Sequence, residues 1–273
     1  MIMNICICYC VDDNELSNKL LYCSLYSLRR YNSIKVIIMT FETNIYVNHF
    51  HKFDNIEIKY IDEIYNKKYK MIKNSYYLNN DKKEVEFRKD ISNMCYFRLE
   101  IPILLKEYDM VLYLDTDTEI KKSLDPIFHL DFENAEIIGQ YNREPHLEEA
   151  LLILNDNNIH SFDKILSNKE DYICSGIILF NNKNINNTNY EDRLQSLLDF
   201  EYEYYHIHLW KDEFLINIGF NCKSSMLLEC DNEDEYKTTK NLETNSYIVH
   251  YIWNYKKNLI EKYKLILEKE KLI

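Results

Sequence analysis

Short, almost wholly apolar runs alternate with amphipathic stretches through the first half of the chain. Asn4 to Val11 is such a run and stops at Asp12-Asp13-Asn14. After it, Leu16, Leu20, Leu21, Ser24, Leu25 and Leu28 are spaced to share one face of a helix. Lys35 to Thr40 repeats the apolar run, a short helix is expected over Tyr46 to Phe53, and Ile56 to Ile61 reads as a third strand. Runs of this length, rich in Ile and Val, suit strands covered on both faces. Their alternation with helical patterns predicts a parallel sheet with crossover helices.

Residues 62–89 carry Lys, Tyr and Asn without firm periodicity and predict an irregular excursion. Regularity returns with a helix from a Ser92 cap to Leu105, bent or broken at Pro102. The most informative stretch follows. Val111-Leu112-Tyr113-Leu114 is a buried-strand pattern that ends in Asp115-Thr116-Asp117 and continues through Thr118-Glu119-Ile120. A turn or short helix at Leu124 to Ile127, a strand over Ala135 to Gln140 and a helix over Pro145 to Leu154 come next. Tyr172 to Gly176 leads into the apolar run Ile177 to Phe180, and a Gly at a strand start often marks close approach by a ligand. Beyond an Asn-rich loop at Asn181 to Asn189, helices are expected over Tyr190 to Tyr205 and Asp212 to Ile218. An acidic loop at Glu229 to Glu235, a strand over Tyr247 to Ile252 and a Lys-rich helix over Lys256 to Ile273 complete the chain. There is no internal repeat and no linker, so residues 1–273 are expected to form one domain.

Composition narrows the function. A formal net charge of −12 on 273 residues speaks against a general nucleic-acid binder, which presents a basic face. A single anionic nucleotide stays compatible, because a bound metal inverts the local charge. The eight Cys contain no Cys-x-x-Cys pair, and Cys6, Cys8 and Cys10 would share one strand face, so free thiols in a reducing cytosol are expected. The apolar N-terminus lacks a basic flank, and no apolar run approaches membrane-span length. A soluble, cytoplasmic protein is the expectation. The terminal helix has six Lys against three Glu and an apolar stripe, and can either pack on the domain or rest on the inner face of an anionic membrane.

Two carboxylates one residue apart, on backbone leaving a strand, can both reach one divalent cation. Ligands of α/β sheets bind at such carboxyl ends. Alone, Asp-x-Asp is a common spacing. Similarly, Asp12-Asp13-Asn14 alone reads as a helix cap, Arg98 as a surface charge, His250 as a satisfied histidine, Lys256 as a solvated lysine and Asp212 as an N-cap.

In order and context these residues resemble glycosyltransferase family 8, the glycogenin and bacterial lipooligosaccharide galactosyltransferase group, from about residue 4 to 257. Four segments carry the resemblance. Phe97-Arg98-Leu99 with Asp109 to Asp117 is similar to the family's Arg helix and Asp-x-Asp strand. Tyr172 to Asn181 resembles its Asn-Ala/Ser-Gly motif, Asp212 to Asn217 its Asp-Gln motif, and His250-Tyr251 with Lys256 its His-x-x-Gly-x-x-Lys-Pro segment. The resemblance implies a GT-A fold, with a mostly parallel Rossmann-like sheet flanked by helices. It also implies a retaining transfer of glucose or galactose from a UDP-sugar to a carbohydrate, glycolipid or protein acceptor. Asp115, Asp117 and His250 would hold Mn²⁺ or Mg²⁺, and Lys256 would add charge at a phosphate. Asp12 and Asn14 would meet uracil and ribose, Arg98 sugar hydroxyls or the diphosphate, and Thr116, Ser175 and Gly176 the donor or acceptor. Asp212 would hold the donor sugar.

Several positions depart from the pattern. Cys174 stands for the family's Asn, Glu213 for its Gln, Trp253 for a Gly and Lys257 for a Pro, and Asn142 to Glu144 replace an acceptor-contacting segment. Glu213 beneath an anomeric carbon can act as nucleophile or stabilise a cationic centre; as a plain helix-start Glu it would favour the dipole. Two competing readings follow: a sugar-nucleotide-binding module without activity, and a haloacid-dehalogenase-type phosphatase, whose motif normally follows the first strand.

Overall fold

The computed structural model describes residues 3–62, 93–141, 172–204, 211–228, 231–232, 246–251 and 255–272. The expected excursion at 62–89 lies almost wholly outside them. So do Ser92, the helix at Pro145 to Leu154, Trp253 and most of the acidic loop.

Seven strands form the main sheet in the order β3-β2-β1-β4-β7-β6-β8. These are β1 Ile5–Cys10, β2 Val36–Thr40, β3 Ile56–Tyr60, β4 Met110–Leu114, β6 Ile137–Tyr141, β7 Ile173–Asn181 and β8 Cys222–Ser224. All neighbours pair in parallel except β7, which runs against both β4 and β6. The sheet is therefore mostly parallel, with helices packed on it.

The apolar runs are continuous because both faces of the sheet are covered. In β1, Cys6, Cys8 and Cys10 enter one core, and Ile7, Tyr9 and Val11 enter the other. In β4, Val111 and Tyr113 face the first, and Leu112 and Leu114 the second. The thiols of Cys6 and Cys8 are buried and free, and burial pushes both above the ordinary thiol range.

Helix α1, Glu15–Arg29, follows β1 and is capped by Asn14, whose side chain accepts from the Ser17 N–H. Helix α2 is confined to Val47–Phe50. The expected helix from Ser92 is instead a 3₁₀ helix over Asn93–Glu100 running into a short α3, Ile101–Leu104. Pro102 lies in the first turn of α3, where its missing N–H has no intrahelical partner to lose. The expected Asn-rich loop holds a short helix, α4 Asn182–Asn186, capped by the Asn181 side chain. Helices α5 Tyr190–Tyr204 and α6 Lys211–Gly219 follow.

The stretch from Val111 to Ile120 is two strands. β4 ends at Leu114, the chain turns through Asp115 to Asp117, and β5, Thr118–Ile120, joins a second small sheet of order β5-β10-β9. β9 is Asp231–Asn232, inside the expected acidic loop, and β10 is Ile248–His250.

The terminal helix is broken at Tyr263 into α7, Lys256–Lys262, and α8, Lys264–Lys269. Of the expected stripe of Leu259, Tyr263, Ile266 and Ile273, the first two lie in the second core together with Leu267 and Leu272, Ile266 packs against it, and Ile273 lies outside the described residues. Each fully buried Leu contributes about 1.5–3 kcal/mol, against roughly 0–1 kcal/mol for an exposed lysine pair, so apolar contact decides where this segment sits. Among the described residues no helix is long and apolar enough to cross a membrane.

Asn217 ties helix α6 to the start of β7. The buried Asn217 amide accepts from the Ile173 N–H at 2.8 Å and donates to the Ile173 carbonyl at 2.8 Å. Replacing Asn217 by Ala leaves both backbone groups without these partners. The expected loss is about 2–4 kcal/mol of unfolding free energy, measured by urea titration.

Candidate active site

The carboxyl ends of the parallel strands β1 and β4 lie side by side, and their loops supply acidic residues. From β4 come Asp115 and Asp117, with Thr116 half-buried between them. The Asp115 N–H donates to the Gly176 carbonyl at 2.8 Å, and the Thr118 hydroxyl donates to the Asp115 carbonyl at 2.8 Å. That hydroxyl also meets Ser24 of α1, which in turn meets Tyr9 of β1. The turn is thus held from both adjacent elements.

Two side-chain oxygens on each aspartate face different partners. Asp115 Oδ1 accepts from the Tyr113 hydroxyl at 2.5 Å and lies 3.2 Å from Arg98 Nη2. Its Oδ2 lies 3.6 Å from His250 Nε2. Asp117 Oδ1 is 3.0 Å from the same imidazole nitrogen, and its Oδ2 is 3.0 Å from Lys256 Nζ. Arg98 continues the chain in the other direction, with Nε 3.2 Å from Asp212 Oδ2. The result is one line of groups, Asp212, Arg98, Asp115, His250, Asp117 and Lys256, in which Asp115 and Asp117 each stand between two groups able to carry positive charge and Asp212 closes the line beside Arg98.

Arg98 is buried and tightly specified. Its Nε donates to the Cys95 carbonyl and its Nη1 to the Ser175 carbonyl, and its guanidinium lies 4.7 Å from the Tyr113 ring centre. Burial works against its charge, but Asp115 and Asp212 outweigh it and hold the group above the ordinary arginine range. Burial likewise opposes ionising Asp117. His250 and Lys256 overcome it and hold that carboxyl well below the usual range. Lys256 is raised in return, burial opposing and Asp117 prevailing.

One oxygen from each aspartate and one imidazole nitrogen lie within 4.8 Å of one another, a spacing that one ion can bridge. Two carboxylates and one imidazole suit a divalent first-row metal such as Mn²⁺. Gly176 makes room for this grouping. A Cβ built there would lie 2.4 Å from His250 Cε1 and 3.1 Å from Asp115 Oδ2. It stands inside β7 rather than at its start, next to a slip in register. Between the pairs Gly139–Ile178 and Tyr141–Ile173, residues 174–177 stand against the single residue 140. Such irregularities re-aim side chains beside sites.

On the far side of Arg98, Glu213 Oε2 accepts from the Ser175 N–H at 3.2 Å. Asp212 and Glu213 both stand in the first turn of α6. The Arg98 line and this contact therefore bring together Arg98, Asp115, Asp117, Ser175, Gly176, Asp212, Glu213, His250 and Lys256. Asp12 and Asn14 lie at the end of the neighbouring strand. Asn14 caps α1, while Asp12 is half-buried and accepts from the Asp13 N–H. Tyr113, which holds Asp115 and underlies Arg98, was not visible beforehand, since its place in the strand pattern marks it only as core.

No curated protein is a significant sequence match. Among solved structures, the bifunctional glycosyltransferase WbbM matches 99% of this chain at 15% identity with a TM-score of 0.60, and the chain spans 52% of it. The galactosyltransferase LgtC, solved with donor and acceptor sugar analogues, matches 94% of the chain and 95% of its own length, at 15% identity and a TM-score of 0.59. An active-site mutant of LgtC with Glu in place of Gln matches the same shares at 14% identity and a TM-score of 0.61. Core-mannan synthase A from Aspergillus fumigatus, in a form with Mn and GDP, matches 80% of the chain and 70% of its own length, at 11% identity and a TM-score of 0.50. The shared architecture is the GT-A fold. Residues 6–257 match the sequence profile described as Glycosyl transferase family 8, and the chain belongs to that family.

Proposed function

We propose that the chain is a metal-dependent, retaining glycosyltransferase that moves glucose or galactose from a UDP-sugar to a glycan, lipid-linked or protein acceptor. The observation that carries this reading is the grouping of Asp115, Asp117 and His250 at the end of a central strand, in line with Arg98, Asp212 and Lys256. Family membership and the likeness to LgtC support the donor class. The likeness to a synthase in a Mn and GDP form supports Mn²⁺ as the ion. We propose further that residues 1–273 act as one domain.

Asp115, Asp117 and His250 would hold the ion, which when bound neutralises charge on the departing diphosphate. Bound there, the ion would add positive charge where the donor's phosphates come to lie. Lys256, already facing this centre, supplies a compact positive charge to the phosphates. Arg98 is locked by two backbone carbonyls and two carboxylates, so it presents a fixed guanidinium edge to the donor with little entropy left to lose. Asp212 and Ser175 flank it on the sugar side, and Asp12 and Thr116 lie on the nucleotide side. Asn14 contributes by setting the start of α1.

Glu213 is oriented by the Ser175 N–H and carries a charge where the family has an amide. In the proposed step a Glu213 oxygen bonds to the anomeric carbon as the bond to UDP breaks. An acceptor hydroxyl then displaces the carboxylate and releases its proton, and two inversions retain configuration.

UDP release across a panel of UDP-sugars with Mn²⁺ tests the donor class; equal inactivity with all of them overturns it. Asp115→Asn and Asp117→Asn are expected to lose metal-dependent UDP release by about 100-fold or more, with circular dichroism unchanged. Glu213→Gln keeps the shape of the side chain and removes its charge. Turnover is expected to fall about 100-fold, and wild-type turnover in that variant removes Glu213 from the chemistry.

A further inference from the structure

Glu119 lies on β5, two residues beyond Asp117, and is almost wholly buried at 2% exposure. Its carboxylate is crowded with donors. Oε2 accepts from the Tyr251 hydroxyl at 2.9 Å and from Lys262 Nζ at 2.7 Å, Oε1 accepts from the Tyr263 hydroxyl at 2.8 Å, and Lys121 Nζ lies 3.5 Å away. Burial alone would raise this carboxyl, but Lys262 and its neighbours keep it below the usual range. Burying an ionised carboxylate costs several kcal/mol, and such pairs often stabilise no better than apolar side chains of similar volume. Stability is therefore a weak reason for this arrangement.

Position supplies a stronger one. Asp117 immediately precedes β5 and His250 ends β10 in a small sheet where β5 and β10 pair over only three residues, with His250 opposite Thr118, and β9 adds two residues on the other edge. A sheet that small is marginal without outside support. Tyr251, next to His250, donates its N–H to the Asp117 carbonyl at 2.8 Å and its hydroxyl to Glu119. One residue is thereby tied to β5 at both ends. Helix α7 sends Lys256 to Asp117 and Lys262 to Glu119, so two acidic residues two positions apart meet the two ends of one helix. We infer that Glu119 is a positioning residue of the metal centre, holding Asp117 and His250 in one ligand geometry through Tyr251 and the Lys262–Tyr263 segment. This rests on the metal reading proposed above.

The test is direct Mn²⁺ binding to the full chain without nucleotide, followed by electron paramagnetic resonance, beside the melting temperature without metal. Well below melting, Glu119→Gln is expected to weaken Mn²⁺ binding about tenfold. Tyr251→Phe removes a single hydrogen bond and is expected to weaken it about fivefold, which keeps the test intact if the first variant does not fold. The Mn²⁺ concentration for half-maximal UDP release should rise in step, while kcat at saturating Mn²⁺ stays within about twofold, because Glu119 touches no reacting atom. Mn²⁺ affinity within twofold of wild type in the folded variants, whatever their melting temperatures, overturns the inference. A wild-type chain that binds no Mn²⁺ overturns the metal reading itself and this inference with it.

Discussion

The Arg98 guanidinium lies inside the protein between Asp115 and Asp212, held by the carbonyls of Cys95 and Ser175. An isolated charge at that depth would be prohibitive, as would two aspartates at the end of β4 and a third in the first turn of α6 without partners. Each makes the others tolerable. Arg98 takes one oxygen of Asp115 and leaves the other toward His250. Removing one member of such a buried line leaves a charge without its partner and costs stability even where the fold survives. The 3₁₀ helix that carries Arg98, the end of β4 and the first turn of α6 are thus coupled by charge as well as by packing.

The sheet sets where that line can form. Coverage on both faces leaves the strand ends as the place where side chains can meet ligand, and β7, running antiparallel between β4 and β6, brings Ser175 and Gly176 beside the carboxyl end of β4. A wholly parallel sheet would place different backbone there. The register slip spends extra β7 residues at this point, which is how one strand both shows a carbonyl to Arg98 and opens space for the His250 ring.

Most of the sheet was legible in the sequence because strands buried on both faces leave unbroken apolar runs, as in β1, β2 and β4. Asp115, Asp117 and His250 were legible through motif order, with Arg98 and Asp212. What could not be read depends on contacts distant in sequence. The antiparallel direction of β7 has no local signature, and β8 is too short for one. The 3₁₀ path of residues 93–100 keeps Arg98 on its partners although the local pattern also suits an α-helix. Lys256 to Ile273 has one continuous pattern, yet the chain breaks at Tyr263, whose hydroxyl goes to Glu119. Tyr113 and Glu119 were hidden for opposite reasons. Tyr113 sits in a run that reads as core, nothing local marks Glu119, and each is a buried polar partner of the site.

Charge bookkeeping at the centre bears on how a donor can enter. Asp115, Asp117, Asp212 and Glu213 are four carboxylates against two fixed cations, Arg98 and Lys256, so with His250 neutral, as a metal ligand is, the local sum is −2 on a chain already at −12. A diphosphate approaching that sum meets repulsion at short range in a medium less polar than water. One divalent ion brings the local sum to zero. On the proposed reading, the donor therefore enters with its metal or after it, and Lys256 serves first as the partner of Asp117 and then of phosphate. An acidic protein can handle an anionic substrate in this way because the sign that matters is set within a few ångströms, by the groups that line the strand end.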